Sequence, residues 1–117
     1  MADAFAPARV RAALEASWSL ESSSRWSRDN PAIGQCNPTA LLVYERFGGK
    51  IFKTRVGDEW HFYNRIDGLT YDFTAAQFST PVSYDGVPAS PTEALTGTCA
   101  DQVRALARRF EAAYSAS

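Results

Sequence analysis

A chain of 117 residues with 45% hydrophobic and 21% charged residues has an ordinary globular composition, long enough for one domain (1–117) to bury a core without disulfide staples. A net charge of −1 gives no long-range field to draw nucleic acid or an anionic membrane, so neither is expected as a partner. No apolar run approaches the roughly 18 residues of a membrane span, and the arginines, ten of the twelve basic residues, are scattered as solvated surface groups would be.

The N-terminal stretch MADAFAPARVRAALEASW has no basic segment followed by an uninterrupted apolar one, because Arg9, Arg11 and Glu15 break it; a secretory signal is not expected. Pro7 suits the first turn of a helix whose face is Val10, Ala13, Leu14, Ser17 and Trp18, ending near Ser19. SLESSSRWSRDNPAIG then reads as a long loop, a length that points to a functional site. Trp26 within it is either an anchor or part of a binding wall.

CNPTALLVYERF follows, with Pro38 near its start and Gly48-Gly49 at its end, which predicts a helix from Cys36 to Phe47. Ala40, Val43, Tyr44 and Phe47 recur at helical spacing, and Leu41 and Leu42 widen the stripe, so this helix is buried on most sides. KIFKTRV, EWHFYNRI and LTYDFT, separated by Gly57-Asp58 and Asp67-Gly68, predict an antiparallel meander of three strands. PVSYDGVPASPTEALTGT holds three prolines and two glycines and reads as loop with room for a short strand. Thr98 and Asp101 have the spacing of a capping box, and Val103, Leu106, Ala107, Phe110 and Tyr114 form the stripe of a C-terminal amphipathic helix. Cys99, just inside it, reads as a small buried residue. The predicted fold is α+β: a central helix with Cys36 at its N-terminus, packed on an antiparallel meander and flanked by N- and C-terminal helices.

With Asp67-Gly68 as a two-residue turn, Ile66 pairs with Leu69, Asn64 with Tyr71, Tyr63 with Asp72, Phe62 with Phe73 and His61 with Thr74. That register puts Phe62, Asn64, Ile66, Leu69, Tyr71 and Phe73 on one face, and His61, Tyr63, Arg65, Thr70, Asp72 and Thr74 on the other. His61 and Asp72 become diagonal neighbours there, about 7–8 Å apart at Cα. A polar face of this kind is either solvent-facing or the place where a carboxylate orients the chain's one histidine. A thiol at a helix N-terminus meets a partial positive charge and free N–H donors, which favour thiolate, and a neighbouring imidazolium adds to this. Asp72 would hold the imidazole of His61, while the backbone N–H of Cys36 and the side chain of Gln35 would serve as oxyanion donors.

The ordered motifs GQC-x-x-TALLV (Gly34, Gln35, Cys36, Thr39, Ala40), FGG-x-I (Gly48, Gly49), H-x-x-NR-x-DG (His61, Asn64, Gly68) and D-x-T-x-x-QF (Asp72, Thr74, Gln77, Phe78) resemble the YunG family of small bacterial proteins. The resemblance takes in the Trp18-Ser19 segment and covers roughly residues 10–80. A Cys on a central helix with His and Asp on adjacent strands also resembles, more loosely, the papain and transglutaminase group. That likeness implies a papain-like minimal core with Cys36 as nucleophile, His61 as general base and Asp72 as its orienter. Papain-type enzymes carry their glutamine several residues ahead of the cysteine, whereas Gln35 is adjacent to it.

Two functions therefore compete. One is a cysteine hydrolase or acyltransferase acting on a peptide, protein or small amide, with no cofactor, in a reducing, cytoplasmic setting where both cysteines are thiols. Trp26, Trp60, Tyr63 and Asn64 are its candidate substrate contacts, although Asn64 on the apolar face reads first as a buried hydrogen-bonder. The other is a non-catalytic binding module whose contact surface is Trp26, Trp60, Tyr63 and Tyr84. A metal site lacks C-x-x-C or H-x-x-x-H spacing, and a serine triad at Ser22, Ser23 or Ser24 lacks a G-x-S-x-G elbow.

Overall fold

The computed structural model describes residues 4–117; the start of the N-terminal stretch read above for a signal lies outside them. Helix α1 spans Pro7–Ser17, α2 Cys36–Phe47, strand β1 Lys50–Val56, β2 Glu59–Ile66 and β3 Leu69–Tyr71. A 3-10 turn at Ala75–Gln77, strand β4 at Val87–Ala89, helix α3 at Pro91–Leu95 and helix α4 at Ala100–Ala116 complete it. The architecture is α+β, with a four-stranded antiparallel sheet in the order β3-β2-β1-β4. Among the described residues no helix is long and apolar enough to cross a membrane.

Helix α2 lies between two apolar clusters, which is why its stripe is so wide. Leu42 and Val43 pack with Val10 and Leu14 of α1 and with Leu106, Phe110 and Tyr114 of α4. Ala40 and Leu41 pack with Ile51 of β1, Phe62 of β2 and Ala94 of α3. Polar bonds set its position along the sheet. Asn64 donates from Nδ2 to the Ala40 carbonyl at 3.0 Å, and Trp18 donates from Nε1 to Thr39 Oγ1 at 3.0 Å.

The meander departs from expectation at its third strand. β3 stops at Tyr71, so Asn64↔Tyr71, Arg65↔Thr70 and Ile66↔Leu69 pair, but the three outer pairs do not form. Asp72 ends the ladder: its Oδ1 accepts from the Thr74 backbone N–H and hydroxyl, and its carbonyl accepts from Ala75 N–H. Leu69, assigned to the apolar face, is exposed.

Three further expectations are corrected. The segment read as loop contains α3, started by a capping box in which Ser90 and Glu93 bond reciprocally. Thr98 and Asp101 do not cap α4, because Cys99 is the cap residue and the Thr98 hydroxyl bonds Gln102 instead. Cys99, extended at that position, is exposed rather than buried.

Gly48 and Gly49 both take positive φ to turn the chain from α2 into β1, and a Cβ on Gly49 would lie 2.5 Å from the Arg65 carbonyl oxygen, where Gly48 has open space. Gly48→Ala should therefore cost only the backbone strain, about 1–3 kcal/mol. Gly49→Ala should cost visibly more, read as a lower urea midpoint. Equal midpoints for the two variants would refute the close approach.

Candidate functional site

Cys36 is the first residue of α2. Gln35 precedes it in a near-helical conformation and makes no side-chain cap bond, so the first-turn N–H groups stay open. The Cys36 thiol hydrogen-bonds Asn37 Oδ1 at 3.2 Å, and Asn37 is itself pinned by donating from Nδ2 to the Ala94 carbonyl at 2.7 Å. Gly97 leaves room for this amide: a Cβ there would lie 2.5 Å from Asn37 Nδ2.

His61 and Asp72 meet although their strands do not pair that far. His61 Nε2 and Asp72 Oδ2 are 2.7 Å apart, and both side chains are buried. The same carboxylate oxygen accepts from the Tyr84 hydroxyl at 2.8 Å, so with the two Thr74 bonds both of its oxygens are engaged. Burial and then the Asp72 carboxylate push the Tyr84 hydroxyl above its ordinary value and keep it a donor. Burial alone would lower the His61 pKa. Asp72, by its hydrogen bond and charge, and the neighbouring Cys36 sulfur outweigh it, and the imidazole rises from 6.5 to about 9. His61 Nδ1 is buried without a hydrogen-bond partner, and with Nε2 taken it is the ring nitrogen left for the sulfur.

Cys36 and His61 line one cleft of about 550 Å³. Phe78 stands edge-on to the imidazole at 4.8 Å between centroids. Trp60 forms another part of the wall, half-exposed, with the Lys53 and Arg55 cations each 4.4 Å from its ring centroid.

The other residues singled out lie elsewhere. Gln35 is wholly buried outside the cleft lining and donates from Nε2 to the Ser19 carbonyl at 3.3 Å. Asn64 is spent on Ala40. Tyr63 is buried against Tyr84, and its hydroxyl accepts from Gly86 N–H at 3.1 Å. Trp26 is partly buried against the larger apolar cluster and does not line the cleft, which fits the anchor reading. Of the four aromatics proposed as a contact surface, only Trp60 lines the cleft. Ser22 and Ser23 spend their hydroxyls on turn bonds. Among the described residues, no three His, Cys, Asp or Glu side chains cluster as metal ligands would.

Asn37 was missed. Its signal was available, a side-chain amide next to a cysteine in a first helical turn. Gln77, known from sequence only as part of the D-x-T-x-x-QF motif, bonds the 30–34 segment and lines the cleft.

A family model described as YunG protein matches residues 6–115, extending the likeness well beyond residue 80. "Uncharacterized protein YunG" of Bacillus subtilis (strain 168) is 48% identical over 101 residues, covering 86% of this chain and 88% of the relative. No solved structure matches the chain. The chain belongs to the YunG family.

A folded-state His61 value above the unfolded one means that its proton stabilises the fold fully below about pH 6.5, and that this is lost as pH rises through about 9. Urea stability should fall across that window by up to about 1.4 kcal/mol per pH unit. In Asp72→Asn the fall should be smaller in total and end at lower pH, because the folded-state value drops toward the unfolded one. A flat wild-type profile would mean that His61 folds neutral.

Proposed function

We propose that the protein is an enzyme of thiol acyl chemistry, acting on an amide bond of a peptide, protein or small molecule by hydrolysis, deamidation or acyl transfer. The observation that carries this reading is the buried His61–Asp72 contact of 2.7 Å, with His61 sharing one cleft with a cysteine at an uncapped helix start. A free-standing structural cysteine has no need of an oriented imidazole with a raised pKa.

The roles follow from the atoms. Cys36 is the nucleophile. His61, an imidazolium below about pH 9, presents its Nδ1 proton to the sulfur and later gives it to the leaving group, while Asp72 holds Nε2 and so fixes which nitrogen faces the sulfur. Asn37 Oδ1 accepts from the sulfur as a thiol; as a thiolate it gives up that bond and turns toward the imidazolium. The Cys-His-Asp triad on a helix start and an antiparallel sheet amounts to a papain-like minimal core. Chemistry at a free thiol fits a reducing, cytoplasmic setting.

Iodoacetamide labelling of Cys36, followed against pH in a Cys99→Ser background, tests the pair directly. Labelling at neutral pH should be faster than that of a free thiol, and His61→Ala should remove the difference. Against an amide or ester found to be turned over, Cys36→Ala should abolish activity and His61→Ala should lower it about 10²–10⁴-fold. Free-thiol behaviour in the parent protein would instead favour a non-catalytic binding module.

A further inference from the structure

Resting on the thiol acyl reading, we propose that Gln77, and not Gln35, supplies the side-chain hydrogen bond to the oxyanion formed when Cys36 attacks a carbonyl. Gln77 lines the same cleft as Cys36 and His61. Its Oε1 accepts from Gly34 N–H at 3.4 Å, which turns the amide nitrogen the other way; that Nε2 is shielded from solvent and has no hydrogen-bond partner. A buried donor without an acceptor costs about 1–3 kcal/mol. Such a group is accounted for when its acceptor arrives with the substrate.

The backbone around Gln77 is fixed. Its N–H donates to the Thr74 carbonyl at 3.1 Å in the 3-10 turn, and its carbonyl accepts from Asn30 Nδ2 at 3.0 Å. The side chain therefore projects from a fixed backbone, with its Oε1 held by Gly34 N–H, and a donor set before reaction contributes most to a transition state. Gln35 fails on each count. It is wholly buried, its Nε2 is already bonded to Ser19, and its orphaned atom is Oε1, an acceptor that would repel an anion.

In the step itself the Cys36 sulfur forms a bond to the carbonyl carbon as the carbonyl electron pair moves onto oxygen. That oxygen takes hydrogen bonds from Gln77 Nε2 and from the Cys36 backbone N–H. Collapse re-forms the carbonyl and breaks the C–N bond, and the departing amine takes the proton from the His61 imidazolium. Water, deprotonated by the now neutral His61, then cleaves the thioester and returns Cys36.

Two reactions of the same sulfur separate this role from a merely structural one. Acylation by p-nitrophenyl acetate passes through an oxyanion, whereas alkylation by iodoacetamide does not. In a Cys99→Ser background, Gln77→Met and Gln77→Ala should lower acylation about 10²-fold or more while leaving alkylation within about twofold. Gln77→Met, similar in length and neutral, guards against a variant that fails to fold, with circular dichroism as the check. If both rates fall together in a folded variant, Gln77 only positions the cysteine, and if neither falls it has no part; either result overturns the proposal. A parent protein that alkylates readily but releases no p-nitrophenolate would sink the acyl reading itself, and Gln77's role with it.

Discussion

The contact between His61 and Asp72 is the constraint around which the site is organised. A buried carboxylate is strongly unfavourable unless its lone pairs are engaged, and breaking one side of a buried pair costs about 3–5 kcal/mol. The protein meets this locally. Thr74 supplies two donors to Oδ1 from two residues on, while His61 of β2 and Tyr84 of the irregular segment beyond supply donors to Oδ2. The same carboxylate ends β3, because a side chain that binds its own downstream backbone takes the chain out of the extended form. Strand termination and histidine orientation are thus one event.

Cys36 is brought to that pair by contacts spread along α2. Trp18 bonds Thr39, Asn64 bonds Ala40, and Asn37 bonds Ala94, so the first turns of the helix are tied to α1, β2 and α3. Each bond is worth about 1 kcal/mol net. Their larger effect is geometric: a displacement of about 1 Å at a reacting atom can cost 10²-fold in rate. The tight turn at Gly48-Gly49 sets the other end of the helix, fixing where β1 begins and hence the register that carries His61.

The sequence makes some of this legible and hides the rest. The bounds of α2, β1 and β2 follow from punctuation the chain carries itself: Pro38, the Gly48-Gly49 stop and two turn dipeptides. The proximity of His61 and Asp72 follows from hairpin register, even though the strand carrying Asp72 ends before it. Local competition is harder to see. Thr98 and Asp101 have cap spacing, but the helix starts a residue later, and the Ser90-Glu93 box inside a proline-rich stretch nucleates a helix that composition argues against. Gln35 misleads for a related reason. Adjacency in sequence places its backbone beside Cys36, yet its side chain turns into the interior toward Ser19.

The least legible element is the one that turns a sheet face into a site. Antiparallel sheets commonly leave one face to water, and the alternation in β2 suggests that for His61 and Tyr63. The irregular segment between residues 75 and 86 covers them instead. Phe78 meets His61 and Tyr84 meets Tyr63; Ser83 and Asp85 bond the buried Thr54 hydroxyl, and Gly86 bonds the Tyr63 hydroxyl. The hydrogen bonds among these use backbone groups of the loop, which any sequence possesses, so no residue pattern announces them. Without this cover, Asp72 would lose Tyr84 and His61 its apolar wall, and the pair would become a surface ion pair worth about 0–1 kcal/mol. The burial of the His61–Asp72 pair therefore depends on a segment with almost no regular structure, and the region hardest to read from periodicity shapes the candidate site.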